Sequence, residues 1–187
     1  MSSKSHFFNR RLRLLADYQF NNNLIDDANG YDLTGIDITY NNGNAVFNGS
    51  TSRASRTDTN DIFSFTDGVK DLPFRIETSV KFDVFNKIQF LLAKRQSDTT
   101  FCEWQINFRN NDNSINIVLF SEGASANRIE KKCVITPNTN TIYNIVVIYD
   151  GNGLDGLNIS VNSVDGTLSE EVGTYVKMTK TSSDFTV

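Results

Sequence analysis

The stretch FRIETSVKFDV, residues 74–84, decides the fold class. Phe74, Ile76, Thr78, Val80, Phe82 and Val84 occupy every second position, with Arg75, Glu77, Ser79, Lys81 and Asp83 between them. Successive side chains on an extended strand point to opposite faces, so this run presents one apolar face and one wet face. That is how a strand packed on one side of a two-layer sheet structure reads. The same period recurs outward in both directions. Downstream, Cys102, Trp104, Ile106 and Phe108 are expected to point inward and Glu103, Gln105, Asn107 and Arg109 outward. Ile115, Ile117 and Leu119 begin another such run, and Leu157, Ile159 and Val161 a third. Upstream, Leu12, Leu14, Ala16, Tyr18 and Phe20 share one face, with Leu15 the exception. Residues 143–149, YNIVVIY, are apolar at both parities after Asn144, which predicts a strand covered on both sides near the middle of its sheet.

Pairs that tolerate positive φ fall between these runs: Asn42-Gly43, Asp112-Asn113, Asp150-Gly151, Asn152-Gly153 and Asp165-Gly166. Short strands at this spacing, with no intervening helical pattern, predict an all-β sandwich or barrel. The only competing helical pattern is Phe8, Leu12 and Leu15. Residues 1–11 read as a tail and 12–187 as one sandwich domain.

Bulk composition narrows the function classes. The 187 residues carry a net charge of -4, against the basic excess of a typical nucleic-acid binder. No apolar run approaches the length of a membrane-spanning helix, and Arg13 interrupts the place where a secretory signal would need its hydrophobic stretch. Cys102 and Cys133 lack metal-binding or redox spacing, which leaves two readings, buried free thiols or a disulfide.

Taken in order, LADYQF at 15–20, LIDD at 24–27, GYDLTG at 30–35, AVFNG at 45–49, PFRIETSVKF at 73–82, YNIVVIYDG at 143–151 and LNISVN at 157–162 resemble a known succession. It is similar to that of the laminin G-like domains of the concanavalin A-like lectin/glucanase superfamily. The resemblance implies a two-sheet antiparallel jelly-roll sandwich. Two positions depart from the pattern. Asn162 is followed by Ser163 where the family has Gly, and the chain stops at DFTV, 184–187, where a closing strand would follow. That strand is expected to be absent or supplied by a partner, and an open edge recruits partners, so a homo-oligomer or larger assembly is expected.

Glycoside hydrolases on this fold set Glu, Asp and Glu at alternate positions of one strand, and no such triplet occurs. Glu170 and Glu171 are adjacent and would point to opposite faces. His6 is the single histidine and lies in the expected tail, so triads and zinc sites lack support. Asp26, Asp27 and Asp150 could offer oxygens to calcium, or serve as turn formers, and no metal or other cofactor is assigned. The candidate ligand-binding row is Glu103, Gln105, Asn107 and Arg109, since amides, carboxylates and guanidinium groups hydrogen-bond sugars; the bland alternative is a solvated strand face. Trp104 sits in the inward register and reads as core. Arg10, Arg11 and Arg13 could meet an acidic partner surface or belong to a solvated tail.

The expectation is therefore a non-catalytic recognition module binding a glycan or a protein surface, without nucleic-acid binding or membrane insertion. Laminin G-like domains without a secretory signal occur in bacteriophage head-fibre and tail proteins. That implies a virion surface, reached outside the cell by lysis. A purely structural particle component is the alternative, and a glycoside hydrolase the remote one.

Overall fold

In the computed structural model the described residues are 14–95, 102–121 and 127–187, together with the backbone of Ser5–Phe8. They are all-β, and every strand pairing among them is antiparallel. One sheet has six strands in the order β14 (Val164–Asp165), β13 (Leu157–Val161), β12 (Tyr143–Tyr149), β7 (Phe74–Val80), β1 (Ser5–Phe8) and β2 (Leu14–Tyr18). The other has eight: β15 (Leu168–Val172), β11 (Arg128–Val134), β10 (Ser114–Phe120), β9 (Cys102–Arg109), β8 (Gln89–Arg95), β16 (Phe185–Thr186), β6 (Arg53–Arg56) and β3 (Thr34–Ile36). A separate hairpin joins β4 (Thr39–Asn41) to β5 (Asn44–Val46) through Asn42 and Gly43, both at positive φ. A tight two-residue connection needs that conformation, and Asn-Gly adopts it at least cost.

The alternating positions of the two sheets meet in one core. Phe74, Ile76, Tyr143, Ile145, Val147 and Tyr149 come from the six-stranded sheet. Trp104, Ile106, Phe108, Ile115, Ile117 and Leu119 come from the eight-stranded one. Phe65 bridges the layers, stacked 4.2 Å from Phe74 and 5.3 Å from Trp104 by ring centroid. Trp104 is core, as its register predicts, and its indole N–H donates to the Phe63 carbonyl at 2.9 Å. The result is a β-sandwich.

Three expectations need correction. Ser5–Phe8 is a strand between β7 and β2, not part of a tail. The polar Ser5 and His6 hid it, because no amphipathic alternation marks so short a segment. Phe185 and Thr186 do form a strand, β16, between β6 and β8, in the sheet opposite the one that holds β1 and β2. β12 is covered on one face only: Ile148 is exposed and Val146 half-buried on the other. Its outward residues Val146 and Ile148 are β-branched and stand opposite Glu77 and Arg75, which suits a pleated surface without a second layer. Asp165-Gly166 is not the hairpin turn. Asn162 and Ser163 carry the positive φ angles between β13 and β14, while a Cβ on Gly166 would lie 2.4 Å from the Lys132 carbonyl oxygen. Ser163 thus holds a left-handed conformation where the resembling family uses glycine.

Two polar clusters are sealed within the sandwich. The Asp71 carboxylate accepts from the Tyr149 hydroxyl at 2.7 Å, the Tyr175 hydroxyl at 2.5 Å and the Met178 N–H at 2.6 Å, tying three distant segments together. Burial first, and then that carboxylate, pushes both phenols above their usual range. Elsewhere the buried Lys94 ammonium donates to Asp58 at 2.6 Å and to the Ser183 carbonyl at 3.3 Å. Cys102 and Cys133 are free buried thiols.

Candidate functional site

Strands β9, β10 and β11 lie side by side, and their outward positions fall into cross-strand rows. Gln105 stands opposite Val118, which faces Glu130; Asn107 stands opposite Asn116, which faces Lys132; Arg109 stands opposite Ser114. These outward residues are not solvated: Gln105 is 7% exposed, Asn107 3%, Asn116 and Glu130 0%. Buried polar groups are tolerated only when paired. Asn116 donates to the Asn107 side-chain oxygen at 3.2 Å, and the Ser114 hydroxyl oxygen lies 2.7 Å from the Asn116 carbonyl and 2.5 Å from Asp112. Glu130 accepts from Arg109 at 2.8 Å, with Arg128 at 3.9 Å from the same oxygen and the Lys132 ammonium 3.3 Å from the other. One carboxylate therefore anchors three cations.

The sequence row Glu103, Gln105, Asn107 and Arg109 splits. Trp104 pairs with Lys94 and Cys102 with Arg95, so β9 has one residue more than β8 in this interval and Glu103 is the extra one. Such a bulge re-aims the side chains beside it. Glu103 leaves the outward row and is wholly buried, accepting from the Ser64 hydroxyl at 2.8 Å and the Phe65 N–H at 2.7 Å. Burial pushes its carboxyl up to about 8, against the lowering pull of Lys94, Ser64 and Phe65. Glu103 is thus removed from the ligand-binding candidates. Cys102 turns the other way: it clusters with Val118 and Phe120 on the outer face rather than pointing inward with Trp104.

Gln105, Asn107 and Arg109 remain together and line a concavity of about 660 Å³ on the outer face of the eight-stranded sheet. A second bulge, at Leu91 in β8, sets Phe90 opposite Asn107 on this face, with the residue 53% exposed. The Arg95 guanidinium lies 4.5 Å from the Phe90 ring centroid and donates to Gln105 at 3.0 Å. Phe120 and Arg128 complete the wall. Sequence reasoning missed Phe90, Arg95, Phe120 and Arg128. The bulges break the alternation around the first two, but Arg128, Glu130 and Lys132 at every second position of β11 were a readable row of charge. Among the described residues this lining holds three guanidinium groups and no carboxylate.

The other candidates are dispersed. Asp26 accepts from the N–H groups of Asp17, Ala28, Asn29 and Tyr31 at 2.7–3.0 Å. Burial alone would raise its carboxyl, but these donors hold it below the usual range, the mark of a turn-holding carboxylate. Asp150 accepts from Asn152 within its own turn. Asp27 borders a smaller concavity of about 390 Å³ among Asn21, Asn23, Asn42 and Asn44. No three potential metal ligands cluster among the described residues. Arg10, Arg11 and Arg13 lie outside the described residues, and of His6 only the backbone falls within them. No family model, no curated protein and no solved structure matches this chain.

Proposed function

We propose that this chain is a non-catalytic recognition module whose two sheets follow the laminin G-like jelly-roll plan, and that it binds a glycan on the outer face of the eight-stranded sheet. The observation that carries this is the meeting of Gln105, Asn107 and Arg109 with the exposed Phe90 ring in one concavity. Sugars present hydroxyls that need directional partners and C–H faces that lie against rings, and the concavity offers both. The polar groups of the described lining are amides and guanidinium groups, which suit the holding of sugar hydroxyls. Display at a virion surface, as part of an oligomer or larger particle, is the setting that the family resemblance favours.

A glycan array probed with the purified chain tests this. Specific, saturable binding that weakens about ten-fold in Phe90→Ala is expected, the size of one lost ring contact. Silence across the array would contradict it. Silence joined to a discrete dimer or trimer by light scattering would favour a purely structural particle component.

A further inference from the structure

We infer that Lys94 and Asp58 condense within the folded chain to an isopeptide bond, which makes the sandwich core the site of its own covalent modification. The inference stands apart from the glycan reading. Lys94 of β8 donates to Asp58 Oδ2 at 2.6 Å, and the two side chains are 0% and 1% exposed. Cγ lies one bond beyond that oxygen, near the roughly 3–3.5 Å at which a held pair reacts. Both partners are fixed. Asp58 Oδ1 accepts from the Ile62 N–H at 2.7 Å and Oδ2 also from the Phe63 N–H at 3.1 Å, while Lys94 donates to the Ser183 carbonyl at 3.3 Å as well. In open water, amide formation is opposed because amine and acid are both charged and hydrated. Burial strips that hydration and favours their neutral forms, from which the amide follows.

One proton crosses from Nζ to Oδ2, leaving a neutral amine beside a neutral acid. The amine lone pair attacks Cγ, and the C–N bond forms while negative charge gathers on Oδ1. The Ile62 N–H already donates to that oxygen, as an oxyanion donor must. The Cγ–Oδ2 bond breaks last, and Oδ2 leaves as water with a second Nζ proton. One ammonium and one carboxylate thus become one amide and one water, without a co-reactant. Glu103 is placed to relay that second proton. It is the extra residue of the β9 bulge, next to Trp104, which pairs with Lys94, and it is wholly buried. Burial holds it protonated, its carboxyl up to about 8, and the Lys94 charge is the largest acting on it. The bond ties residues 36 apart in sequence and locks the segment carrying Phe63 and Phe65 to β8, a covalent brace against unfolding.

Mass spectrometry of the denatured full chain tests the inference. The wild-type chain is expected to weigh one water less than its sequence, and a tryptic digest to yield residues 57–70 and 88–95 as one branched peptide. Lys94→Met and Asp58→Ala should each carry the full sequence mass. A full-mass wild-type chain, or separate peptides ending at Lys70 and Lys94, would overturn the bond. So would a water loss mapped to Asp150-Gly151 or Asp165-Gly166, where succinimide formation releases the same molecule. The wild-type peptide map decides by itself, so a variant that fails to fold does not blunt the test. Glu103→Gln, with an unchanged circular dichroism spectrum, should form the bond about a hundred-fold more slowly and show the full mass when freshly purified. A Glu103→Gln chain as light as its parent would overturn Glu103 as the relay.

Discussion

The outer faces of the two sheets are built from similar-looking strands and end in opposite states. On the six-stranded sheet, Arg75 and Glu77 of β7 pair at 2.6 Å in the open, each more than a third exposed, beside the exposed Ile148 of β12. On the eight-stranded sheet, Gln105, Asn107, Asn116 and Glu130 lie under a layer of long cations and two phenylalanines. Polar residues at every second position describe both. The first is an ordinary solvated strand face, where an ion pair contributes little. The second is a sealed hydrogen-bonded layer, and sealed polar layers are costly unless every member is paired. Interdependence of the side chains, rather than polarity, separates a surface from a site.

The widest gap between the faces is expected from their carboxylates. Glu130→Ala leaves Arg109, Arg128 and Lys132 without their shared anion, and urea unfolding should show a loss of about 3 kcal/mol. Glu77→Ala, on the open face, should stay within about 0.5 kcal/mol. Equal losses would erase the distinction.

Glu103, which the bulge assigns to neither outer face, sharpens it through pH. Its carboxyl rises from 4.5 in the unfolded chain to about 8 in the folded one, so the native state holds the proton more tightly. The stability it contributes is complete below pH 4.5 and is lost as pH climbs through about 8. Glu103→Gln, which cannot ionise, should flatten that decline in unfolding curves measured across this window. Superimposable profiles for the two proteins would contradict the protonated, buried assignment.

Smaller effects follow the same division. Asn116→Ala removes the partner of both Asn107 and Ser114 and should cost about 2 kcal/mol, against about 0.5 kcal/mol or less for Ser160→Ala on the open sheet, both read from urea midpoints. At the far end of the six-stranded sheet, Ser163→Gly should stabilise by about 0.5 kcal/mol, because glycine takes the left-handed conformation freely. No gain in midpoint would mean that the Ser163 conformation is not strained.

Much of the architecture was legible because it rests on period-2 burial. Phe74, Ile76 and Thr78 of β7 and the β9 core positions Trp104, Ile106 and Phe108 are buried as their spacing requires, while Val80 is half-buried. Legibility fails where an extra residue shifts the phase. Glu103 and Leu91 each re-aim their neighbours, and no local composition distinguishes them from regular strand residues. It fails again for β1 and β16, which are too short to show a period and are defined by the strands on either side. The site divides along the same line. Three of its residues lie on the regular part of β9, while Phe90 and Arg95 flank irregularities and Phe120 and Arg128 belong to neighbouring strands joined only by folding.

Side-chain amide resonances of the nitrogen-15-labelled chain, followed during titration with a glycan that the array identifies, compare the two faces within one experiment. The account predicts saturable shifts at Gln105 and Asn107 and at the Arg95 and Arg109 guanidinium groups, with Asn144 and Asn158 of the six-stranded sheet unmoved. Shifts confined to Asn144 and Asn158, or spread evenly over both sheets, would contradict it.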